Sequence, residues 1–317
     1  MRTIVLIPCT DRKRREPSED LRARSLAPGN LSEVAGEWLD RIASATSKQP
    51  HGEVYCGRAY REAAKAAKQL SAELAVISAG LGVVRADQPI PSYSLTVAPG
   101  SDDTVLNKIT CDGASADAWW NALKFRHEKI AGVQDLLRRE SSALILIGLS
   151  ASYARLIRDD LVGLSVAETE RIRIFGAGIT EHLPPSLAAS VMPYDFRLNG
   201  PDSPIPGTMS DFASRALHHF AGCLRDGVLS AAQADDDRQE LLWLMRDWRT
   251  PNLPVRKRMT DEEIVRFILD QWDETGGRSG VSLRLLRDTG HACEQSRFRD
   301  LFRRASRLRN KPGRSAA

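Results

Sequence analysis

The chain has 317 residues, 42% hydrophobic and 27% charged, with a formal net charge of +4. That composition excludes the disordered and fibrous classes and leaves room for one large domain with an appendage, or for two domains. No run of about 18 apolar residues is present to span a membrane, and the opening apolar run, Ile4 to Pro8, is too short for a secretory leader. The cysteines Cys9, Cys56, Cys111, Cys223 and Cys293 are scattered and include no C-x-x-C pair, which argues against a disulfide framework or a structural zinc site and predicts a cytoplasmic location, with no metal and no cofactor.

In chain order, Thr3 to Ile7 is a continuous apolar run ended by Pro8, the pattern of a central strand buried on both faces. Helical spacing follows from Leu31 to Ile42, with Ser32 as the expected cap. Val54 to Cys56 reads as a brief extended element, Arg58 to Leu70 as an alanine-rich helix, and Leu74 to Ile77 as a second strand. Asp117 to Arg139 is expected to be one long amphipathic helix, with Trp120, Leu123, His127 and Ile130 near one face. Ala143 to Ile147 is another all-apolar strand, closed by Gly148 and followed by a helix from Ser152 to Leu161. Ile172 to Phe175 and Leu187 to Met192 are weaker strand candidates. The alternation predicts an α/β fold with a mostly parallel sheet covered by helices.

The Pro/Gly-rich stretch from Leu198 to Gly207 cannot be regular structure, and segments of that composition inside a compact protein are usually functional loops or lids. Helices are expected at Asp211 to Leu224 and Gln239 to Trp248. The prolines between Arg249 and Arg258 mark a linker, dividing an α/β domain, 1–248, from a C-terminal piece, 259–317.

That last piece carries the charge asymmetry. Thr275 to Ala317 holds eleven Lys and Arg against three acidic residues, leaving the rest of the chain net acidic. Asp261 to Trp272, Val281 to Asp288 and Cys293 to Leu308 read as helices, the last two joined by a Thr289-Gly290 turn in a helix-turn-helix pattern. Arg297, Arg299, Arg303, Arg304 and Arg307 on the final helix are the expected DNA contacts, because arginine binds phosphate through paired donors. A solvated basic face is the plainer alternative.

Ligands of open parallel sheets bind beyond the carboxyl ends of the strands. Those ends supply Pro8 to Lys13, with Cys9, Thr10 and Asp11; Ser78-Ala79-Gly80-Leu81-Gly82; and Gly148 to Ser152, with Ser150 as ligand or cap. The second of them runs on through Asp87 and Pro89 to Tyr93, a small-residue turn, an aspartate, a proline-flanked turn and a tyrosine. This pattern resembles the central motif of the YaaA-like superfamily, named for a peroxide-stress protein that binds DNA. Tyr55-Cys56-Gly57-Arg58 resembles that superfamily's Tyr-x-Gly element, and the likeness covers roughly residues 1–160. Val83-Val84 and Ser92 depart from the pattern, as does the separate C-terminal piece. The resemblance implies a DNA-acting protein, and the architecture is further associated with anti-phage DNA glycosylases that excise modified bases and with enzymes of 7-deazaguanine bases in DNA.

Cleaving an N-glycosidic bond passes through a cationic sugar and so needs a nearby carboxylate, with polar donors for the departing base. Asp11 and Asp87 are the candidate catalytic carboxylates, expected to lie near each other; Asp11 is equally readable as a loop residue paired with Arg12 or Lys13, and Asp87 as a turn former before Pro89. Tyr55 and Tyr93 are candidates for stacking on an extruded base, or else core tyrosines. Arg58, at a helix start, is a candidate phosphate ligand, and Ser78 and Gly80 are candidate base contacts. Of the neighbours His218 and His219, at most one faces inward. No P-loop, dinucleotide fingerprint, nucleophile elbow or zinc-deaminase signature is present. Three functions remain: excision of a modified base from phage DNA, DNA binding without catalysis, and remodelling of a deazaguanine base.

Overall fold

A computed structural model describes residues 2–110, 112–126, 130–252 and 255–309. Cys111, His127 and the residues after 309 thus lie outside the described set. The chain divides into two compact units after Pro251.

The first unit is built on five strands, β1 (Thr3–Pro8), β2 (Glu73–Ser78), β3 (Gly82–Val84), β4 (Leu144–Gly148) and β5 (Ile172–Phe175), in the order β3-β2-β1-β4-β5. β1, β2, β4 and β5 are parallel and β3 is antiparallel to β2. The chain is therefore α/β with a mostly parallel sheet. Thr3 to Ile7 are buried throughout, which requires cover on both faces and explains an apolar run without alternation.

The helices are α1 (Leu31–Ser44), α2 (Arg58–Gln69), α3 (Ala116–Arg126), α4 (Val133–Arg139), α5 (Ala151–Leu156), α6 (Phe212–Arg225) and α7 (Ala234–Leu244), with single-turn helices between them. α2 packs along α6, and α1 along α3. The cap of α1 is Asn30, not Ser32: its side chain accepts from the Glu33 amide at 3.0 Å and Glu33 answers to the Asn30 amide at 2.8 Å.

The long helix expected from Asp117 to Arg139 is two helices, α3 and α4. Between them the Ala131 carbonyl accepts a hydrogen bond from the Val83 amide at 2.8 Å, and Gly132 lies against the buried Asp160 carboxylate. Asp160 accepts from the Trp120 indole at 2.9 Å and from the Val133 amide at 2.6 Å, and pairs with Lys124. This carboxylate supplies α4 with the acceptor that its glycine N-cap lacks.

Leu187 to Met192 is also not a strand. Prolines 184 and 185 open a 3-10 turn, Pro185–Ser190, after which only Val191 bridges to Ile174, and the Met192 amide donates to Ile174 O at 2.8 Å. The helix expected from Ser152 to Leu161 breaks into α5 and a turn at Arg158–Leu161.

The second unit contains α8 (Asp261–Asp270), α9 (Ser279–Asp288) and α10 (Gln295–Arg309), packed on a core that includes Ile264, Ile268, Leu286, Phe298 and Ala305. Thr260 and Glu263 form a capping box at the start of α8, and Gly290 takes the positive φ of 84° that ends the turn after α9. Lys257–Arg258 pair with His291–Ala292 as a two-residue parallel ribbon. No helix among the described residues is long and apolar enough to cross a membrane.

Candidate functional site

A cavity of about 370 Å³ opens at the carboxyl ends of β1 and β4. The end of β1 contributes Pro8, Cys9, Thr10 and Asp11; the segment after β4 contributes Leu149, Ser150, Ala151 and Tyr153; Ala59 comes from α2. Met209 and Ser210, with Phe212 to Ser214 at the start of α6, close the remaining side.

The β1 loop is held in shape by pairing. Lys13 bridges Tyr55 in antiparallel fashion, with Arg14 N donating to Val54 O at 2.9 Å and Cys56 N to Arg12 O at 3.2 Å. The Lys13 ammonium donates to the carbonyls of Thr10 and Asp11 at 3.2 and 3.3 Å and stands 5.1 Å from the centre of the Tyr93 ring. Burial lowers its pKa from the ordinary lysine value. Thus anchored, the loop leaves Asp11 exposed, and its carboxylate has no hydrogen-bond or ion-pair partner among the described residues. It is the one acidic side chain in the cavity lining.

Tyr153 is buried, with its hydroxyl 2.9 Å from Cys9 Sγ. Burial, reinforced by Cys9, raises its pKa well above the ordinary phenol value, so the neutral phenol can donate or accept at neutral pH. Sequence reasoning passed over Tyr153. Its signal was its place one helical turn after Ser150, directly behind the end of an all-apolar strand.

The structure divides the remaining candidates. Cys9, Thr10, Asp11 and Ser150 come together in the cavity lining, whereas Asp87 does not join them. Because β3 runs antiparallel to β2, the chain after Val84 returns to the amino ends of the parallel strands, where Arg85 pairs with Glu73 and Glu140. Asp87, two residues on, is an exposed turn residue at the end of the sheet remote from Asp11.

Tyr55 and Tyr93 are core residues, both with no solvent exposure. Their hydroxyls lie 2.7 Å apart, and Ser78 Oγ is 2.5 Å from the Tyr93 hydroxyl. The chain of hydroxyls is self-satisfied and buried, so neither ring is placed to stack on a base and Ser78 is not free to contact one. Gly80 is accounted for by packing: a Cβ there would lie 2.9 Å from Trp38 Nε1, whose N–H donates to Gly80 O at 2.7 Å. Gly82 takes a positive φ of 75° in the turn that starts β3. The Ser78 to Gly82 motif is thus a hairpin turn.

Arg58 is engaged within the protein, with its Nε 3.0 Å from Asp211 Oδ2 and a second donor on Pro206 O. Asp211 is buried and also meets Arg215 Nε at 2.7 Å. Arg215, with no exposure, donates to the carbonyls of Leu198 at 3.0 Å, Ile205 at 2.9 Å and Thr208 at 2.8 Å, and to the Asn199 side chain. The Pro/Gly stretch, expected as an ordered loop or a lid, is clamped from within by one guanidinium, and this clamp presents Met209 and Ser210 to the cavity.

His218 pairs with Glu62 at 2.8 Å. His219 is half-buried, packed against Trp248 and hydrogen-bonded with the Tyr194 hydroxyl at 2.7 Å, so its ring is engaged within the protein. Burial lowers the His219 pKa from 6.5 to about 4. Between those values the unfolded chain binds a proton that the folded chain refuses, so stability present above pH 6.5 falls as pH drops toward 4, by up to about 3 kcal/mol. Urea unfolding at pH 7 and pH 4.5 checks this: His219→Gln is expected to lose less stability between the two than the parent, and equal losses would remove the assignment.

Among the described residues no three His, Cys, Asp or Glu side chains converge as metal ligands would. Cys9, Cys56, Cys223 and Cys293 are free thiols. In the second unit, Arg297 is tied to Asp261 at 2.5 Å, Arg303 to Asp300 at 3.0 Å and Arg304 to Glu262 at 4.0 Å. Arg299 and Arg307 are exposed without a carboxylate partner among the described residues.

Comparison with known proteins adds no neighbour: no family model, no curated protein and no solved structure matches the chain.

Proposed function

We propose that this protein is a DNA N-glycosylase that releases a modified base from DNA, with the base seated in the strand-end cavity and Asp11 acting on the glycosidic bond. The observation that carries the reading is the Asp11 carboxylate, unpaired among the described residues, at a cavity otherwise walled by apolar, hydroxyl and thiol groups. A carboxylate in that position stabilises the positive charge that develops on the sugar, or orients the attacking water. The hydroxyls of Ser150 and Tyr153 and the Cys9 thiol supply hydrogen-bonding groups for the departing base. At about 370 Å³ the cavity lies in the range of about 300–1,000 Å³ that suits small organic ligands. The basic second unit supplies the charge that attracts a polyanion. Such an activity fits defence against phage whose DNA carries modified bases.

The test is incubation of the purified protein with unmodified and modified phage DNA, followed by alkaline cleavage at abasic sites and mass spectrometry of what is released. Free modified base together with abasic sites is expected. DNA binding without base release would leave a DNA-binding protein only, and an altered base retained in the strand would point to base remodelling instead.

A further inference from the structure

The second unit contains a cleft of about 460 Å³ beside the Lys257–Arg258 and His291–Ala292 ribbon, lined by Arg256, Arg258, Arg287 and Arg297 together with Cys293 and Glu294. Its guanidinium groups are mostly uncompensated. Arg256 Nε donates to Arg287 O at 3.1 Å and Arg287 Nη2 to Cys293 O at 3.0 Å, so each spends one of five donors on a neutral carbonyl. Arg258 is exposed. None of these three has a carboxylate partner among the described residues, whereas Arg297 has Asp261. Glu294, the one acid in the lining, accepts from the amides of Ser296 and Arg297 at 3.0 Å each, which cap the start of α10 and hold its carboxyl ionised, so it offsets one of the four guanidinium charges of the lining.

We infer that this cleft, not the arginine row of α10, is the principal phosphate-binding site of the unit, and that its ligand is the phosphodiester backbone of duplex DNA. The inference rests on the reading that the second unit meets nucleic acid. Three guanidinium groups without an ion-pair partner among the described residues, facing a lining with a single carboxylate, present paired planar donors that match phosphate oxygens. On α10, by contrast, Arg297, Arg303 and Arg304 already have carboxylates beside them, and Arg299 and Arg307, which have none among the described residues, stand eight residues and so about 12 Å apart along the helix. The ribbon also fixes the backbone beneath Arg258, so a bound phosphate does not have to order a loose segment.

The experiment uses the full chain and a fluorescein-labelled DNA duplex, with affinity read by anisotropy over a range of potassium chloride concentrations. Arg256→Ala with Arg258→Ala alters two exposed side chains and is compared with Arg303→Ala with Arg307→Ala, each checked by circular dichroism. The cleft variant is expected to bind at least about tenfold more weakly at moderate salt, and its slope of log affinity against log salt should be shallower by about 2, for two lost phosphate contacts. The α10 variant should stay within about twofold of the parent, with a nearly parental slope. If the cleft variant binds like the parent, or the two variants lose equally, the cleft assignment is overturned while the nucleic-acid reading stands. A parent protein without salt-dependent DNA binding would overturn that reading and the cleft with it.

Discussion

Replacing Asp11 by asparagine is expected to slow base release about 100- to 1,000-fold while DNA binding stays near the parent level. The substitution keeps the volume and removes the charge. Since the Asp11 carboxylate has no partner among the described residues, no ion pair described there is broken and folding should be unaffected. Asp87→Asn is the matched comparison, because that carboxylate sits beyond β3 at the other end of the sheet, and it should release base at the parental rate. Tyr153→Phe removes a hydroxyl from the cavity and leaves Cys9 without its partner; a loss of about tenfold is expected, the size of one neutral hydrogen bond. Single-turnover release of the modified base is the measurement. Parental activity in Asp11→Asn, or an equal loss in Asp87→Asn, would sink the assignment of the cavity.

Arg215→Met should lower unfolding free energy by about 3–5 kcal/mol, a large part of the roughly 5–15 kcal/mol that holds a typical domain together. Without the guanidinium, the carbonyls of Leu198, Ile205 and Thr208 lose their donors inside the protein. Among the described residues, the buried Asp211 keeps only Arg58 and the Thr208 amide. The segment from Asn199 to Thr208 should then become the first site of protease cleavage, and the cavity it walls should bind substrate more weakly. Adding Asp211→Asn should cost less than it does alone, because the two residues act as one unit. Denaturant midpoints and limited proteolysis check both statements, and a single variant with parental stability and an uncut loop would show that other contacts hold the segment.

Continuous apolar runs were the most legible part of the chain. Ile4 to Ile7 and Leu144 to Ile147 have no polar residue to interrupt them, and burial on both faces is the stable place for such strands. The direction of β3 was not legible, because a three-residue strand carries too little pattern to tell antiparallel return from a ligand loop, and that ambiguity placed Asp87 beside Asp11. The split of α3 from α4 was hidden for a different reason. Both halves have helical spacing, and the break is set by the Ala131 bond to Val83 and by Asp160, 28 residues downstream of Gly132. Tyr55 and Tyr93 illustrate the limit of residue-type reasoning, since a tyrosine that stacks on a ligand and one that closes a buried hydroxyl chain look alike until partners are seen. Arg215 was invisible as a clamp, because its partners are mostly carbonyls, which every residue possesses.

The two outer strands of the sheet carry a consequence for self-association. On one side the Val83 amide is spent on Ala131, and on the other Ile174 O is taken by the Met192 amide, each from a segment that is not itself a strand. Such single-bond covers leave few backbone groups at which a neighbouring chain can begin to pair, and both segments turn away instead of running on as a further edge. Strand addition, the route by which short apolar strands nucleate fibrils or open-ended assemblies, is therefore hindered at both margins, although β3 is uncharged and the one charge of β5, Arg173, is buried against Asp237. Concentrated protein should accordingly resist fibril formation for as long as the first unit stays folded, and loss of either cover would expose that hazard before the core had opened.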